Sequence, residues 1–264
     1  MPRLLPLLML LLSFQSTASE RCTPLEITAG EWPPYLSRDL PEQGVIAHLI
    51  RDLLRAEGYC VQFKFLPWPR AYAEAAAGKQ AATAIWMHKP EREADFLYSD
   101  ALLDEQFVIF HLRSRAFDWQ TLNDLRGLKL GGGLEYSYGP EFDAAIADGR
   151  LQMERVSSDQ QNFDKLLRGR IDLYPQEINV GYFSLRQSFP PRQVAAITHH
   201  PKVLLKNQSF LLFPKAKPES QALRSQFNRR LADFRQRNLI APYFADLRAG
   251  RYQPVSPQPP ETNP

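Results

Sequence analysis

The sequence predicts an α/β protein built from two lobes, each with a mostly parallel sheet that is flanked by helices. Strand-like and helix-like segments alternate from residue 25 to residue 86, and the same alternation restarts near residue 106. Such alternation is typical of parallel sheets covered by helices. A length of 264 residues suffices for one large domain or two modest lobes, and 44% hydrophobic residues are ordinary for a globular protein.

The first lobe begins with the strand LEITAG at 25–30, which the two prolines of EWPPY end in a loop. A helix follows at 44–58, because its apolar residues recur on one face and Gly58 stands where a helix commonly ends. That face consists of Val45, Ile46, Leu49, Ile50, Leu53 and Leu54. The remaining elements of this unit are a strand at 60–66, a short helix at 71–78 and a strand at 82–86.

The second lobe repeats the pattern from the strand QFVIFHL at 106–112 onwards. Its later strands are LKLGGG, LQMERV and IDLYPQ, and a helix between the first two has its first turn near Tyr136. The segment 203–215 then returns the chain to the first lobe. Two more helices have inward faces formed by Phe163, Leu166 and Leu167 and by Leu223, Phe227, Leu231 and Phe234. The predicted boundaries are 20–110 with 211–250 for the first lobe and 111–210 for the second.

Both ends of the chain fall outside these lobes. Residues 1–19 combine one arginine, the apolar stretch 4–14 and small polar residues, which is the order of a secretory signal peptide. The alternative, an N-terminal membrane anchor, fits less well because the stretch contains Pro6 and is too short to span a bilayer. We therefore predict cleavage of this segment and export to the periplasm. The Pro-rich segment 251–264 predicts a disordered tail.

Two cysteines, Cys22 and Cys60, remain after such cleavage. In an oxidising compartment an even pair favours a disulfide. Cys22 precedes the first strand and Cys60 opens the second, so parallel pairing of these strands brings both cysteines to the same end of the sheet. The alternative is a pair of separate buried thiols.

Several functional classes are disfavoured by the sequence. The formal net charge is only +3 and no basic run is interleaved with aromatic residues, so we do not expect a nucleic-acid partner. The motifs G-x-S-x-G, H-E-x-x-H and C-x-x-C are absent, and the glycine-rich LGGGLEYSYG lacks the lysine that ends a phosphate-binding loop. The five histidines have no metal-ligand spacing. We therefore expect no cofactor, no metal and no catalytic residues.

Aromatic and charged residues follow three predicted strands at their carboxyl ends. They are Trp32 and Tyr35 after the first strand, Trp68 and Arg70 after the second, and Trp86 and Arg92 with the third. In open α/β sheets this edge is where ligands bind. Aromatic faces supply contact area, and an arginine offers a planar donor fork for a carboxylate. The alternative is that the aromatic residues belong to the core and the arginines to the surface.

Five segments carry a resemblance to a known family: EWPPY, KPEREADFLYSDAL, DLRGLKLGGGLEYSYGPEF, GRIDLYPQE and FNRRLADFRQRNLIAPYF. On these segments the chain resembles the family 3 extracellular solute-binding proteins, which are type II periplasmic binding proteins and include the amino-acid receptors of ABC importers. The resemblance implies two lobes joined by two crossing segments, here 106–112 and 205–213, that close hinge-wise on a small-molecule ligand. It also implies a monomer whose partner is an ABC permease or a membrane sensor.

The resemblance assigns roles to individual positions. Arg92, six residues before a Tyr-Ser pair, matches the arginine that grips the carboxylate of the ligand. Ser137, with the neighbouring Tyr138, matches a helix start in the second lobe that binds an anion. Glu177 matches an acidic residue that pairs with the ligand's ammonium group, and Trp32 matches an aromatic residue that lies over the ligand side chain.

The sequence departs from the family pattern at several of these places. Met87 stands five residues before the arginine, where relatives usually carry serine or threonine, and Ala81 stands where an aspartate is usual. In the first helix, Ile46 and His48 replace common acidic residues. The missing hydroxyl weakens the case for a standard α-amino acid, and the additional tryptophans favour a flatter, more apolar or cationic solute.

Two kinds of alternative stay open. In the first, Arg92 forms a surface salt bridge with Glu91 or Glu93. The second concerns the whole protein, as a periplasmic enzyme of the same fold or as a ligand-sensing receptor without transport. The enzyme would be a dehydratase acting on cyclic carboxylates, with Glu177 as base and Arg92 as carboxylate anchor.

Overall fold

The computed structural model describes residues 22–134 and 136–254. The predicted signal peptide at 1–19 and most of the predicted tail lie outside these residues. Among the helices that are described, none has the length and apolar character needed to cross a membrane. Tyr252, which the sequence assigned to the tail, is buried, and its hydroxyl lies 2.8 Å from Nδ1 of His48. The folded part of the chain therefore extends into the predicted tail.

The first half of the chain has the predicted alternation of strands and helices. Its elements are β1 (Thr23–Ala29), α1 (Val45–Arg55), β2 (Tyr59–Phe65), α2 (Trp68–Ala76), β3 (Ala82–Met87), β4 (Phe96–Tyr98) and β5 (Leu103–Leu112). Strand β1 pairs in parallel with both β2 and β3. Helix α2 begins earlier than predicted, at Trp68, because a proline in the first helical turn loses no hydrogen bond and has a suitable φ.

The second half continues the alternation and adds a helix at Ile178–Ser188 that the sequence did not predict. Its elements are β6 (Lys129–Gly133), α3 (Pro140–Ala147), β7 (Gln152–Val156), α4 (Asp159–Leu167), β8 (Tyr174–Glu177), α5 (Ile178–Ser188), α6 (Pro191–Ala196) and β9 (Ile197–His199). Helix α3 begins at Pro140 rather than near Tyr136, because Gly139 has a φ of 98° that ends the loop before it. The chain continues through β10 (Leu205–Pro214), α7 (Ser220–Gln236) and α8 (Ala241–Arg248).

One sheet runs through both halves, in the strand order β2–β1–β3–β10–β5–β8. Strand β10 is antiparallel to β3 and β5, and β5 is antiparallel to β8 and β9. Strands β6 and β7 form a separate parallel pair. The strands of the alternating units are therefore parallel, as predicted, whereas the two strands that pass between the halves run against their neighbours.

The first half and the C-terminal helices enclose one core, and we call this part the first lobe. Every apolar residue predicted for the inward face of α1 is buried there. Leu223, Phe227 and Leu231 of α7 are buried in the same core, with Phe234 packed against it. The amphipathic patterns predicted for these two helices are confirmed.

The second half encloses two further apolar clusters, and we call this part the second lobe. One cluster contains Phe107 and Phe142, and the other contains Phe110 and Phe163. Val180 of α5 is an exception, because it belongs to the core of the first lobe. The two lobes therefore touch at the start of α5.

The predicted disulfide between Cys22 and Cys60 is present, with the two Cα atoms 5.4 Å apart. The parallel register of β1 and β2 places Pro24 opposite Cys60, so Cys22 comes to the same end of the sheet. The bond ties the edge strand β2 to β1. This prediction is confirmed.

Candidate functional site

Three of the predicted site residues form a contiguous group on the first lobe, which we call the Trp–Arg cluster (Trp68, Trp86 and Arg92). A Cβ atom at Gly30 would lie 2.2 Å from the Trp68 ring, so a glycine is needed to make room for the indole. Trp68 meets Trp86 edge-on, with ring centroids 5.0 Å apart and an interplanar angle of 82°. The guanidinium carbon of Arg92 lies 4.8 Å from the centroid of the Trp86 ring. The cluster thus gathers at the carboxyl ends of β1 to β3.

Arg92 lies in a short 3₁₀ helix, Pro90–Ala94, that follows β3. The residue is half-buried, and its Nη1 donates to the carbonyl oxygen of Met87 at 2.7 Å. Glu93, one of the two predicted salt-bridge partners, instead has Oε1 2.7 Å from Nε2 of His88. Across residues 22–134 and 136–254, no carboxylate lies within 4.0 Å of the Arg92 guanidinium. The alternative of a surface salt bridge is therefore not realised.

Arg70 does not join the Trp–Arg cluster. Its Nε donates to Oε1 of Glu74 at 2.7 Å, one turn further along α2, and 63% of its side chain is exposed. Lys64 contacts the same carboxylate at 2.9 Å. Hydrogen bonds from Lys64 and Arg70 lower the pKa of Glu74 to about 2. The structure thus places Arg70 in an ion-paired group on the surface of α2 rather than beside the other predicted ligand contacts.

Tyr35 links the loop after β1 to the second lobe. Its side chain is fully buried, and its hydroxyl accepts a hydrogen bond from Nδ2 of Asn179 at 2.9 Å. The same amide nitrogen donates to Oε1 of Glu177 at 3.3 Å, so this carboxyl lies close to the phenol. Burial raises the pKa of Tyr35 well above its ordinary value, and the nearby Glu177 charge raises it further. The phenol therefore stays neutral and acts as a bridge between the lobes.

Glu177 caps the unpredicted helix α5. Its Oε2 accepts the backbone N–H groups of Asn179 and Val180 at 2.9 and 3.0 Å, which satisfies two donors that the first turn of a helix leaves free. The residue has no exposed surface. Burial raises its pKa to about 7, against the opposing effect of these hydrogen bonds. Its carboxyl is thus engaged within the protein, and contact with a ligand's ammonium group stays a prediction.

Trp32 of the first lobe approaches Tyr136 of the second lobe. Burial raises the pKa of the Tyr136 hydroxyl to about 12, against the opposing effect of the nearby Trp32 and Gln176 side chains. Nε2 of Gln176 donates in turn to Oδ1 of Asp159 at 2.7 Å, and the Tyr174 hydroxyl donates to the same oxygen. Burial raises the pKa of Asp159. Gln176, Tyr174 and Asp159 therefore form a polar group of the second lobe on the side that Trp32 approaches.

The start of α3 differs from the predicted anion site. The Ser137 hydroxyl donates to Oδ2 of Asp143, and the backbone N–H of Tyr138 donates to Oδ1 of the same residue at 3.0 Å. A carboxylate of the protein itself thus occupies the donors in front of this helix. The Tyr138 side chain is buried in the core of the second lobe, where its hydroxyl accepts the N–H of Gly133 at 2.8 Å. The structure therefore moves Tyr138 from the predicted site into the core.

Known structures share this architecture, although no protein-family model and no curated protein sequence matches the chain. Substrate-binding domain 2 of GlnP from Lactococcus lactis, in an open conformation, matches with a TM-score of 0.66 at 14% identity, over 89% of this chain and 97% of its own. A mutant of ArgBP from T. maritima gives 0.63 at 16% identity, over 86% and 95%. A histidine kinase sensor domain with similarity to periplasmic binding proteins gives 0.63 at 16% identity, over 90% and 100%.

The chain has the type II periplasmic binding protein fold. The family resemblance is confirmed at the level of the fold, and the similarity covers most of the chain. Each of these neighbours is described as a binding protein or a sensor domain.

A cavity of about 340 Å³ lies where the lobes of this periplasmic binding protein fold meet. Pro33 faces it from the first lobe, and Tyr136 and Asp159 line it from the second lobe. Its volume is in the range of small-molecule sites. The other polar side chains around it are Ser157, Ser158, Gln160, Ser184, Gln187 and Ser188. Within the described ranges, no group of three His, Cys, Asp or Glu side chains is arranged to hold a metal ion.

Sequence reasoning missed Asn179, which contacts Tyr35 of the other lobe, and it missed Tyr136 and Asp159, which line the cavity. Asp159 had a readable signal, because Ser158 before it is a typical N-cap residue and indeed accepts the backbone N–H of Gln161. Tyr136 and Asn179 had none, because their partners are far away in the sequence. Their roles follow only from the way in which the two lobes are brought together.

Proposed function

We propose that the protein binds a small carboxylate-bearing solute in the cleft between its lobes, with Arg92 as the carboxylate anchor. One observation carries this proposal: the guanidinium is held by the Met87 carbonyl and the Trp86 ring without an acidic partner among the described side chains. It therefore keeps N–H groups for an external carboxylate, and each such charge-assisted hydrogen bond is worth about 1.5–3 kcal/mol. A binding-protein fold supports the same conclusion.

Closure of the lobes by a hinge is part of this proposal. Strands β5 and β10 pass between the lobes, so bending within them moves one lobe against the other. The hydrogen bond from Asn179 to the Tyr35 hydroxyl is available to hold the closed form. A solute in the cleft would select this form. The predicted lobe ranges, 20–110 with 211–250 and 111–210, are part of the proposal, with the boundary inside β5 shifted because Phe107 and Phe110 pack in the second lobe.

Amino acids and related carboxylates are the proposed solute class. The side chain of Met87 in place of a hydroxyl, together with the tryptophans, favours a flat or apolar solute over a small polar one. An ABC permease or a membrane sensor would recognise the closed form, and the GlnP domain and the kinase sensor domain support both outputs. The protein would act in the periplasm as a monomer after removal of residues 1–19.

A catalytic role on the same fold is the second candidate, and the buried Glu177 favours it. A carboxyl whose pKa is raised to about 7 exchanges protons near neutral pH, as a general acid or base does. Its two backbone N–H partners and its complete burial suit a structural role better, so binding ranks first. Mass spectrometry and thermal shift with cyclic hydroxycarboxylates separate the two: unchanged compound together with a higher melting temperature supports binding, and loss of water from the compound supports a dehydratase.

A ligand screen tests the binding proposal. Thermal shift followed by titration calorimetry would use the twenty L-amino acids and related carboxylates, with the unmodified protein, Arg92→Ala and Arg237→Ala. Arg237 is the matched control, because it is 60% exposed and paired with Asp233 at 3.3 Å on α7. We expect Arg92→Ala to weaken binding by about tenfold or more and the control to leave it unchanged. Undiminished affinity in Arg92→Ala, or no binding by any compound of this class, would contradict the proposal.

A further inference from the structure

The ring of Trp86 is fixed on several sides within the first lobe. Its Nε1 donates to the hydroxyl of Thr83 at 2.9 Å, and Thr83 is fully buried. Trp68 contacts the ring edge-on at 5.0 Å between centroids, and Tyr72 does so at 5.6 Å. The Tyr72 hydroxyl donates in turn to Oδ2 of Asp95 at 2.8 Å. The indole therefore cannot rotate without breaking a hydrogen bond and two ring contacts.

Arg92 covers this fixed ring. Its guanidinium carbon is 4.8 Å from the Trp86 centroid, inside the distance of about 6 Å at which the ring quadrupole attracts a cation. A solute ring and the guanidinium cannot occupy the same place over the indole. A guanidinium that rests on an aromatic ring keeps its in-plane N–H groups for hydrogen bonds, and only one of these is used by the Met87 carbonyl.

We propose that Trp86 is a positioning residue that holds the Arg92 guanidinium with its remaining N–H edge directed to the solute carboxylate. This inference rests on the proposed function, because it assigns a support to the carboxylate anchor. It changes the role of Trp86 from a surface on which the solute packs to a platform for the anchor. The Trp68 and Tyr72 rings support this role, because their edge-on contacts fix the position of the Trp86 ring.

A first test needs no solute. The indole ring current shifts protons that lie over the ring upfield, so NMR should find the Arg92 side-chain resonances upfield of those of other arginines. Arg92→Ala identifies these resonances by their loss. The shift should disappear in Trp86→Leu and persist in part in Trp86→Phe, which keeps an aromatic face. Ordinary Arg92 shifts in the unmodified protein would overturn the proposal, whether or not the Trp86 variants fold.

A second test reads the consequence for binding. Its probes are the tightest-binding L-amino acid of the screen and the carboxamide of that amino acid. Trp86→Leu should weaken the binding of the amino acid about 3- to 10-fold and leave the affinity for the carboxamide nearly unchanged. Trp86→Phe should restore part of the lost affinity. In the Arg92→Ala background, Trp86→Leu should have no further effect, because it acts only through the guanidinium.

The outcomes distinguish this inference from the proposed function. If Arg92→Ala alone leaves the amino acid bound as before, the anchor itself is wrong. A different result is that Arg92→Ala weakens binding, and that Trp86→Leu weakens binding by the same factor in the unmodified protein and in Arg92→Ala. Arg92 is then still the carboxylate anchor. In that case Trp86 contacts the solute directly, and its role as a positioning residue is refuted.

Discussion

At the scale of single residues, two buried carboxyl groups lie near the junction of the lobes, Glu105 on β5 and Glu177 at the start of α5. Both are at most 1% exposed. Glu105 accepts hydrogen bonds from Nδ2 of Asn207 at 2.9 Å and from the Ser209 hydroxyl, and the donors to Glu177 are likewise neutral. Burial raises the pKa of both carboxyl groups. Hydrogen bonds to neutral donors thus offset only part of the cost of removing these charges from water.

The pKa of Glu177 predicts how stability depends on pH. Its value of about 7 in the folded protein lies above the ordinary 4.5, so the folded protein keeps a proton that the unfolded chain releases between these pH values. The free energy of unfolding should therefore fall as pH rises from about 4.5 to about 7, by an amount on the order of 3 kcal/mol for this group. Glu177→Gln, which keeps an oxygen to cap α5, should remove this contribution.

Urea unfolding of both proteins near pH 5 and near pH 7 measures the effect. The unmodified protein should lose more free energy of unfolding on going to the higher pH than Glu177→Gln does. Burial lowers the pKa of His111 and His199, but these residues are present in both proteins and their titration cancels in the difference. Equal changes in the two proteins would show that Glu177 titrates normally.

At the scale of elements, helices with a local pattern were predictable and contacts between distant segments were not. The inward faces of α1 and α7 follow from the spacing of their apolar residues alone, and both are buried as predicted. Helix α5 escaped prediction because its cap, Glu177, was interpreted as a ligand contact. Its apolar residues also pack against both lobes, so they do not form one clear stripe.

The candidate site was predictable to the same extent. Trp68, Trp86 and Arg92 could be placed at one edge because residues that follow parallel strands share that edge. The prediction for Arg70 was wrong, although its ion pair could have been predicted from the sequence, because Glu74 stands four residues further along the helix. The contact of Asp143 with the donors before α3 could not be predicted from the sequence, because it depends on the path of the loop before the helix.

The disulfide supports a prediction about the edge of the sheet. Cys22 and Cys60 are 38 residues apart in the sequence, so their bond restricts a loop of moderate length in the unfolded chain. Cys22→Ala combined with Cys60→Ala should lower the free energy of unfolding by about 2–4 kcal/mol. Denaturant unfolding of the unmodified protein with and without reductant provides the comparison. A reduced protein as stable as the oxidised one would contradict this expectation.

At the scale of the whole molecule, the lobes are joined in two different ways. Strands β5 and β10 connect them covalently and belong to one continuous sheet. Side chains connect them a second time, through Val180 in the first core and through the hydrogen bond from Asn179 to Tyr35. The two connecting strands can bend while the backbone stays continuous, whereas the side-chain contacts must separate when the lobes part. The side-chain contacts therefore set the balance between open and closed forms.

Removing one of these contacts should shift that balance. Tyr35→Phe deletes the hydroxyl that accepts a hydrogen bond from Asn179 of the other lobe, and a hydrogen bond worth about 0.5–1.5 kcal/mol changes an open–closed ratio by about 2- to 10-fold. We expect a larger radius of gyration in small-angle X-ray scattering. Tyr182→Phe is the matched control, because its hydroxyl contacts Nδ1 of His199 at 2.7 Å within the second lobe. Equal radii for the two variants would mean that the hydrogen bond between Asn179 and Tyr35 does not hold the lobes together.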